Sequence, residues 1–406
     1  MKRVNREKTC HGLLIALLSA LGAWPGLPAR AVDPVAPAEG VVRVASFNIW
    51  ELSAEKLDRL DAEGRPSDPQ LLAAAEVLRR VRPHVVLLNE IDYDSERDLV
   101  AVFSGRYLET PHPTLPPLSF AHRVYLETNT GVQSGFDFDR NGRIGDPEDA
   151  WGFGRYPGQY GMALLSTYPL DQRAIRTFRL LRWSSMPGAP IPDGRDGRPL
   201  WYSGEEARLM RLSSKSHWDV PVNLPGLRLH VLASHPTPPV FDGEEDRNGR
   251  RNHDEIRLWA DYLSGGDAAS YLVDDSGRRG GLAQDEAFVI LGDLNADPVR
   301  DPAAYGRPAI AQLLEHPRGS DPEPKSTGAV PPSPSSYGGA YPGDPRLLTS
   351  GFGRIDYVLP SRGLRVVGSG VYLPEEDHPT RSLVAGDGRA SDHFLVWVDI
   401  ALPSAP

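Results

Sequence analysis

The sequence predicts an α/β fold of packed layers, because short apolar strands alternate with helical segments and polar side chains collect where the strands end. β-Branched residues alternate with others over residues 41–47, which is typical of a strand buried on one face. A helix is predicted to begin after Asp68 and to run to Val81, and the continuous apolar run 85–88 predicts a buried strand. This strand–helix–strand order is typical of layered α/β proteins.

Further strands and loops complete the predicted domain, which shows no internal repeat. Strands are also predicted at residues 161–166, 227–234, 287–291, 354–359 and 394–400. Long stretches rich in proline, glycine and tryptophan, at residues 104–160, 182–207 and 316–352, are predicted to be surface loops. Because a rigid scaffold presents its functional groups at strand ends, we expect a site along one sheet edge.

Residues 1–31 predict a secretory signal peptide. Four basic side chains precede an apolar run, and the sequence Ala29-Arg30-Ala31 predicts cleavage after Ala31. An N-terminal membrane anchor is the alternative, but the run is shorter than the ~20 residues that span a bilayer. We therefore expect a linker at 32–40, one domain at 41–402, and a secreted or periplasmic protein without stable membrane insertion.

The charge and cysteine content narrow the range of partners. The net charge is −10, and loss of the signal peptide, with its five basic side chains and one acidic one, makes the remainder more negative. Tight sequence-independent binding of nucleic acid is disfavoured, since it needs a basic surface or bound cations.

The single cysteine, Cys10, lies in the signal peptide, so the exported chain has neither thiol nor disulfide. We expect a soluble monomer.

Six short segments place polar residues beside an apolar strand. They are Ser46-Phe47-Asn48, Leu88-Asn89-Glu90, Ser234-His235, Leu291-Gly292-Asp293-Leu294-Asn295, Arg354-Ile355-Asp356-Tyr357 and Ser391-Asp392-His393. In order and spacing they resemble the endonuclease/exonuclease/phosphatase superfamily, which includes deoxyribonucleases, abasic-site endonucleases, neutral sphingomyelinases and inositol polyphosphate 5-phosphatases. The resemblance covers residues 41–402. It implies a four-layer α/β sandwich of two packed, largely antiparallel sheets flanked by helices, and metal-dependent hydrolysis of phosphoesters.

The resemblance also assigns a metal site. It implies that Asn48 and Glu90 hold Mg²⁺ or Mn²⁺ and that Asp392 binds a second metal. Carboxylates suit magnesium, which keeps several waters and takes only one or two protein carboxylates. A solvated acid at a strand end is the alternative for Glu90, but the apolar run that leads into it favours a ligand.

The remaining residues of the set carry catalytic roles by resemblance. Asp293 and Asn295 orient or deprotonate the nucleophile and hold the phosphate. His393 bonds a phosphoryl oxygen or transfers a proton, with its imidazole oriented by Asp356. A histidine at position 235 is similar to deoxyribonucleases, sphingomyelinases and 5-phosphatases more than to abasic-site endonucleases, with a plain loop histidine as the alternative.

Three further residues are candidates for substrate binding. Tyr160 precedes a strand that matches the family and is a phosphate contact or a packing tyrosine. If residues 208–218 form a strand, alternation places Arg211 and Lys215 on one face, where they could meet phosphate. An ordinary exposed strand face is the alternative. The cysteine-containing 5-phosphatase signature is absent, because Arg354-Ile355-Asp356-Tyr357 stands in its place.

Residues 137–148 fit a twelve-residue calcium loop inserted in the domain. The glycine at its sixth position is Gly142, and an acidic glycine-rich surface loop is the alternative. The predicted ligands of this structural calcium are Asp137, Asp139, Asn141, Arg143 through its carbonyl, and Glu148. A weaker match at 244–255 is equally well explained as an acidic helix N-terminus.

These observations predict a secreted Mg²⁺-dependent phosphoester hydrolase of the phosphodiesterase or endonuclease type, with nucleic acid as one candidate substrate. A lipid or small-molecule phosphatase, or a sphingomyelinase-like activity, is the alternative substrate class. A non-catalytic binding module of the same fold is the third reading, and it predicts loss of at least one of Glu90, Asp293, His235 or His393. All four residues are present.

Overall fold

The computed structural model describes residues 34–197, 200–301, 306–330 and 341–403. The predicted signal peptide lies outside these residues. The described strands are β1 (Val41–Leu52), β2 (Val85–Ile91), β3 (His122–Tyr125), β4 (Gly161–Ser166), β5 (Arg176–Thr177), β6 (His217–Leu224), β7 (Leu227–Ser234), β8 (Ala287–Asp293), β9 (Asp356–Pro360), β10 (Arg365–Val371) and β11 (Val396–Ala401). The α-helices are α1 (Ala54–Leu57), α2 (Pro69–Val81), α3 (Leu99–Phe103), α4 (Gly204–Leu209), α5 (Arg247–Ser264) and α6 (Ala311–Leu314).

Short turns of other helix types lie between these elements. A π-helical turn, Ser104–Leu108, continues α3. The 3₁₀ turns are Pro147–Asp149, Trp183–Ser185, Pro345–Leu347 and Arg381–Leu383. No helix among the described residues is long and apolar enough to cross a bilayer.

The strands form two sheets. One has the order β10-β11-β1-β2-β4-β3 and the other the order β5-β6-β7-β8-β9. The pairs β1–β2 and β7–β8 are parallel, and the other neighbours are antiparallel. The prediction of two largely antiparallel sheets is therefore confirmed.

The sheets pack face to face and each carries a helix on its other face. Along β8, Val289 and Leu291 belong to the core between the sheets, whereas Phe288 and Ile290 belong to a second cluster with Trp259 of α5. This division follows the alternation of side chains along a strand. Because α2 packs into the first cluster and α5 into the second, the molecule has the predicted four layers.

Local signals in the sequence account for the ends of α2. The Asp68 side chain accepts a hydrogen bond from the Leu71 amide at 2.9 Å, and Pro69 occupies the first turn. Both features are favoured where a helix begins. The helix ends at Arg82, which adopts a left-handed conformation.

The predicted strand at 208–218 is wrong. Helix α4 ends at Leu209, and β6 begins only at His217. The intervening backbone is held by α5: Arg251 donates to the carbonyls of Arg211 and Leu212, and Glu255 accepts from the Ser214 amide. These side chains satisfy the backbone groups that a strand ladder would have used.

A buried ion pair anchors the central strand of the first sheet. Arg43 on β1 donates to both oxygens of Asp399 on β11, at 2.8 Å each, and to the Val81 carbonyl at the end of α2. We expect Arg43→Ala to lower the free energy of unfolding by about 3–5 kcal/mol, because it leaves a buried carboxylate without its partner. Urea denaturation measures the loss. The control is Arg65→Ala, which removes an exposed pair with Asp61 and should cost less than about 1 kcal/mol; equal losses would contradict the assignment.

Candidate active site

The strand directions bring the predicted residues to one edge of the sandwich. Asn48, Glu90 and Asp293 lie at the carboxyl ends of β1, β2 and β8, and His235 follows β7. The antiparallel neighbours β9 and β11 reach the same edge with their starts, at Asp356 and just after His393. Six segments separated in sequence therefore meet at one place.

A β-bulge in β2 directs two consecutive side chains toward this edge. The register with β4 shifts between Asn89 and Ile91, and the extra residue is Glu90, with φ at 64°. Asn89 accepts a hydrogen bond from the Asp293 amide at 3.1 Å, while Glu90 accepts one from Asn48 at 3.0 Å. Bulges commonly redirect a side chain next to an active site, and a left-handed non-glycine residue costs of order 1–3 kcal/mol.

Asn48 links the acidic groups of the two sheets. Its Nδ2 donates to Glu90 Oε1 at 3.0 Å and to Asp293 Oδ2 at 3.1 Å. Its Oδ1 accepts from the Trp50 amide at 3.1 Å, which fixes the orientation of the side-chain amide. Asn48 therefore presents its nitrogen to the centre and positions the acids, whereas the predicted metal ligand would present its oxygen.

The centre combines two carboxylates and an imidazole. Ligand atoms of Asp293, Asp356 and His393 lie within 4.8 Å of one another, and all three residues are buried. His393 Nδ1 is 2.8 Å from Asp356 Oδ2, and its Nε2 is 3.8 Å from Asp293 Oδ2 and 4.0 Å from Asp392 Oδ1. Asp356 therefore lies where it can orient the His393 imidazole.

The surroundings of the two histidines shift their pKa values in opposite directions. Burial opposes the charged form of His393, but the Asp356 and Asp293 carboxylates outweigh it and hold the pKa of His393 well above its usual range. Burial, with the nearby charges of Lys215 and His393, holds the pKa of His235 well below its usual range. These surroundings favour the protonated form of His393 and the neutral form of His235.

His235 faces the same carboxylate as His393. Its Nε2 lies 3.5 Å from Asp293 Oδ2, and its Nδ1 is buried without a hydrogen-bond partner among the described residues. The sequence did not reveal the carboxylate beside His235, because the two residues lie on neighbouring strands. Asn295, in turn, donates its backbone amide to Asp293 Oδ1 at 2.9 Å and its side-chain amide to the Pro236 carbonyl at 3.1 Å.

The candidate substrate-binding residues separate into two groups. Lys215 lines the cavity and is almost fully buried, and burial lowers its pKa. Tyr160 also lines the cavity and donates its hydroxyl to Glu51 at 2.8 Å. Arg211 is not among the lining residues: it donates to Asn129 at 2.6 Å and packs over Trp151. The expectation that Arg211 contacts substrate is therefore not supported, because its loop does not alternate like a strand.

The site opens into a cavity of about 850 Å³, and aromatic rings form part of its wall. Several of these rings are also exposed to solvent, with 84% of Phe241, 49% of Phe153 and 38% of Trp50 accessible. The lining aromatic residues are Trp50, Phe138, Phe153, Tyr160, Tyr202, Phe241 and Phe352. Sequence reasoning missed this wall, whose only signal was the abundance of aromatic residues in long loops.

In the predicted calcium loop, ligand atoms of Asp137, Asp139 and Asp149 lie within 4.8 Å of one another, and Glu148, the predicted twelfth-position ligand, is not part of this group. Pro147 begins a 3₁₀ turn, which brings the next acid into the cluster. Asn141 and Arg143 remain in the loop, where the Asn141 side-chain oxygen accepts from the Arg143 amide at 2.8 Å.

The weaker match at 244–255 is not arranged as a cation loop. Its twelfth residue, Glu255, is fully buried and accepts backbone hydrogen bonds from Ser214 and Thr237. Residues from Arg247 onward belong to α5. The segment 244–255 is therefore better described as an acidic helix N-terminus than as a second calcium loop.

Comparison with known proteins identifies the family. The sequence model of the Endonuclease/Exonuclease/phosphatase family matches residues 45–393. The chain belongs to this family, whose members are in general hydrolytic phosphoesterases. No curated protein gives a significant match.

Solved structures of low sequence identity are also similar to this chain. An endonuclease/exonuclease/phosphatase protein from Beutenbergia cavernae is 19% identical with a TM-score of 0.48, over 90% of this chain and 72% of that one. The human Nocturnin catalytic domain is 12% identical with a TM-score of 0.43, over 91% and 97%. Beta toxin from Staphylococcus aureus is 15% identical with a TM-score of 0.41, over 88% and 99%.

The ion pair of Asp356 and His393 predicts a defined pH dependence. Because the folded-state pKa of His393 is raised, the pair stabilises the fold fully below the unfolded pKa of about 6.5 and loses this effect as pH rises through the folded pKa. We expect Asp356→Asn to lower the pKa of His393 in a histidine NMR titration of chelator-treated protein. Its cost in stability should be larger at pH 6 than at pH 10. A His393 titration that is unchanged by the substitution would contradict this account.

Proposed function

We propose that the protein is a divalent-cation-dependent phosphodiesterase that hydrolyses its substrate with an activated water. The observation that carries the proposal is the meeting of Glu90, Asp293, His235 and the Asp356–His393 pair at the base of one cavity. Phosphoester hydrolysis needs an oriented water, neutralised phosphoryl oxygens and a proton for the departing alkoxide. This set of side chains has a group for each need.

The side chains present fit a magnesium or manganese ion. Glu90, Asp293 and Asp392 offer carboxylate oxygens, and burial raises the pKa of both Glu90 and Asp293. Desolvated acids so close together are stabilised by a bound cation, and oxygen ligands suit magnesium. Glu90 and Asp392 would hold the ion, with Asn48 positioning Glu90. When bound, a divalent cation polarises the phosphoryl oxygens and makes water a stronger nucleophile.

The protein's own groups then divide the proton transfers. Asp293, held by Asn48 and by the Asn295 amide, accepts a proton from the attacking water. His393 donates from Nε2 to a phosphoryl oxygen, since Asp356 keeps it protonated. His235, as a neutral imidazole with Nε2 3.5 Å from Asp293 Oδ2, takes this proton from Asp293 and passes it to the departing alkoxide. A positioned histidine of this kind contributes about 10²–10⁴-fold to rate.

The size of the cavity favours a diester. Its volume is about 850 Å³, and besides the acidic centre it is lined by Phe241 and by Phe138 and Glu148 of the 137–148 loop. A diester has two organic groups, which a cavity of this size can accommodate. The exposed rings of Trp50 and Phe241 favour, as a second candidate, a sphingomyelinase-like lipid substrate, since amphipathic rings bind at lipid interfaces.

Two further proposals rest on the sequence. The basic and apolar pattern of residues 1–31 supports export from the cytoplasm. The spacing of residues 137–148 supports a structural calcium ion, with Asp137 and Asp139 as ligands and Asp149 in place of Glu148.

The hydrolase proposal is tested with bis-p-nitrophenyl phosphate, p-nitrophenyl phosphate, plasmid DNA and sphingomyelin, each with Mg²⁺ and with chelator. We expect metal-dependent cleavage of diesters. Glu90→Gln and His393→Ala should each lower kcat at least about 10²-fold with the fold intact, because an acid–base or charge-stabilising group is lost. Glu96→Gln, an exposed acid in a loop, is the matched control. Full activity of either site variant would reject this active site, and selective turnover of sphingomyelin would favour the lipid substrate.

The calcium proposal predicts which acid matters. Calcium that binds only the folded protein raises Tm, and we expect Asp137→Ala and Asp149→Asn to reduce that rise. Glu148→Gln should leave the rise intact, because Glu148 is not part of the group that Asp137, Asp139 and Asp149 form. The calcium-dependent increment is the quantity to compare by calorimetry, since Asp149 also accepts backbone hydrogen bonds without the ion. An equal effect of Glu148→Gln would restore the twelve-residue ligand pattern.

A further inference from the structure

We propose that one polar face of α5, formed by Arg251, Asn252 and Glu255, positions the loops that carry Lys215, His235 and Asn295, and that Glu255 is its principal positioning residue. The inference rests on the proposed function. None of the three α5 residues resembles a catalytic motif in the sequence. We infer their role from the partners of their hydrogen bonds.

Glu255 joins two loops of the site. Oε1 accepts from the Ser214 amide at 2.6 Å and from the Ser214 hydroxyl at 3.0 Å, and Oε2 accepts from the Thr237 amide at 2.7 Å. Ser214 immediately precedes Lys215, and Thr237 lies two residues after His235. One fully buried carboxylate therefore fixes the backbone beside both side chains.

The two loops that Glu255 joins also contact each other directly. The Ser214 hydroxyl lies 3.3 Å from the His235 carbonyl, and Lys215 Nζ lies 3.5 Å from the Pro236 carbonyl. The Glu255 carboxylate is also a negative charge beside the buried Lys215 ammonium. Removal of Glu255 would free both loops and leave Lys215 with only the acids of the centre as counter-charges.

Asn252 extends this network to the strand end that carries the proposed base. Its Nδ2 donates to the carbonyls of Thr237 at 2.8 Å, Leu294 at 3.0 Å and Asn295 at 3.4 Å. The residue is almost fully buried. It therefore ties the loop after His235 to the segment that follows Asp293.

Arg251 ties the outer wall to the same helix. Its guanidinium donates to the carbonyls of Trp151 at 2.6 Å, Leu212 at 2.9 Å and Arg211 at 3.0 Å. Trp151 follows the 137–149 segment. Four segments around the cavity, at Trp151, at 211–214, at Thr237 and at 294–295, are thus attached to α5. The helix is itself packed by Ile256 and Trp259 on the second sheet.

Loops alone would not hold such a site. Catalytic groups must be placed within about 0.5 Å, and a displacement of about 1 Å can cost 10²-fold in rate. A helix with a packed apolar side is rigid, and its buried polar side chains have no alternative partners in water. The α5 face therefore transfers the rigidity of the sandwich core to the substrate cavity.

The test compares two adjacent buried acids of α5. We expect Glu255→Ala to lower kcat about 10²-fold on bis-p-nitrophenyl phosphate, with a smaller change in KM. Glu255→Gln should recover part of kcat, since one oxygen remains to accept a backbone hydrogen bond. The control is Asp254→Ala: Asp254 is equally buried but accepts from Trp183 on the other side of the helix, so its loss should lower Tm and leave kcat unchanged.

A second readout does not depend on activity. The sequence has lysines only at positions 2, 8, 56, 215 and 325, so the ¹³Cε resonances of lysine-labelled protein are few. We expect Glu255→Ala to shift the Lys215 resonance and to leave those of Lys56 and Lys325 in place, without any substrate. An unchanged Lys215 resonance and kcat in folded Glu255→Ala would overturn the inference, as would an equal loss of kcat in Asp254→Ala. If the unmutated protein hydrolyses nothing, the proposed function fails and the lysine spectra still decide the positioning role.

Discussion

Asp293 is the point at which the two sheets are joined at the active-site edge. Its backbone amide donates to Asn89 and its Oδ2 accepts from Asn48, so side chains of the first sheet hold both the chain and the carboxylate of the second. Two packed sheets can shift relative to each other if only apolar contacts lie between them. Polar contacts with fixed geometry at the sheet edge remove that freedom. Because Glu90 and the two histidines are placed relative to Asp293, the geometry of the site depends on this junction.

The same junction accounts for the electrostatics of the site. Placing Glu90, Asp293 and Asp356 in one buried region costs free energy, since carboxylates lose hydration there. The protein offsets this cost with His393 and with hydrogen bonds from Asn48, and a bound cation would offset more of it. The backbone bears a related cost, because Glu90, Asn295 and Tyr160 all have positive φ. Strain and unpaired charge are concentrated where the proposed chemistry takes place.

The strand ends could be predicted well from the sequence, because alternation and apolar runs are local signals. The polar residues of the site lie directly beside these strands in the sequence. Thus β4 and β7 have the predicted bounds, and Asp356 was correctly paired with His393. The possible strand at 208–218 does not form before His217. The backbone of this segment bonds to side chains of α5, more than thirty residues away in the sequence. In the 137–148 loop, a 3₁₀ turn that begins at Pro147 places Asp149, and not the predicted Glu148, beside Asp137 and Asp139. The aromatic wall and the role of Glu255 depend on loop contacts that no local pattern specifies.

An acidic protein can still bind an anionic phosphoester. The net charge of −10 acts over distances that physiological salt screens, with a Debye length of about 8 Å. Within the cavity the relevant charges are local, and Lys215, Arg247, Arg251 and His393 line it together with eight acids. The side chains alone therefore leave the cavity acidic, and a bound divalent cation would supply the positive charge that an anionic phosphate needs. Phosphate capture then depends on the cation and on the basic groups near it, and the acidic outer surface disfavours long, nonspecific contact with polyanions.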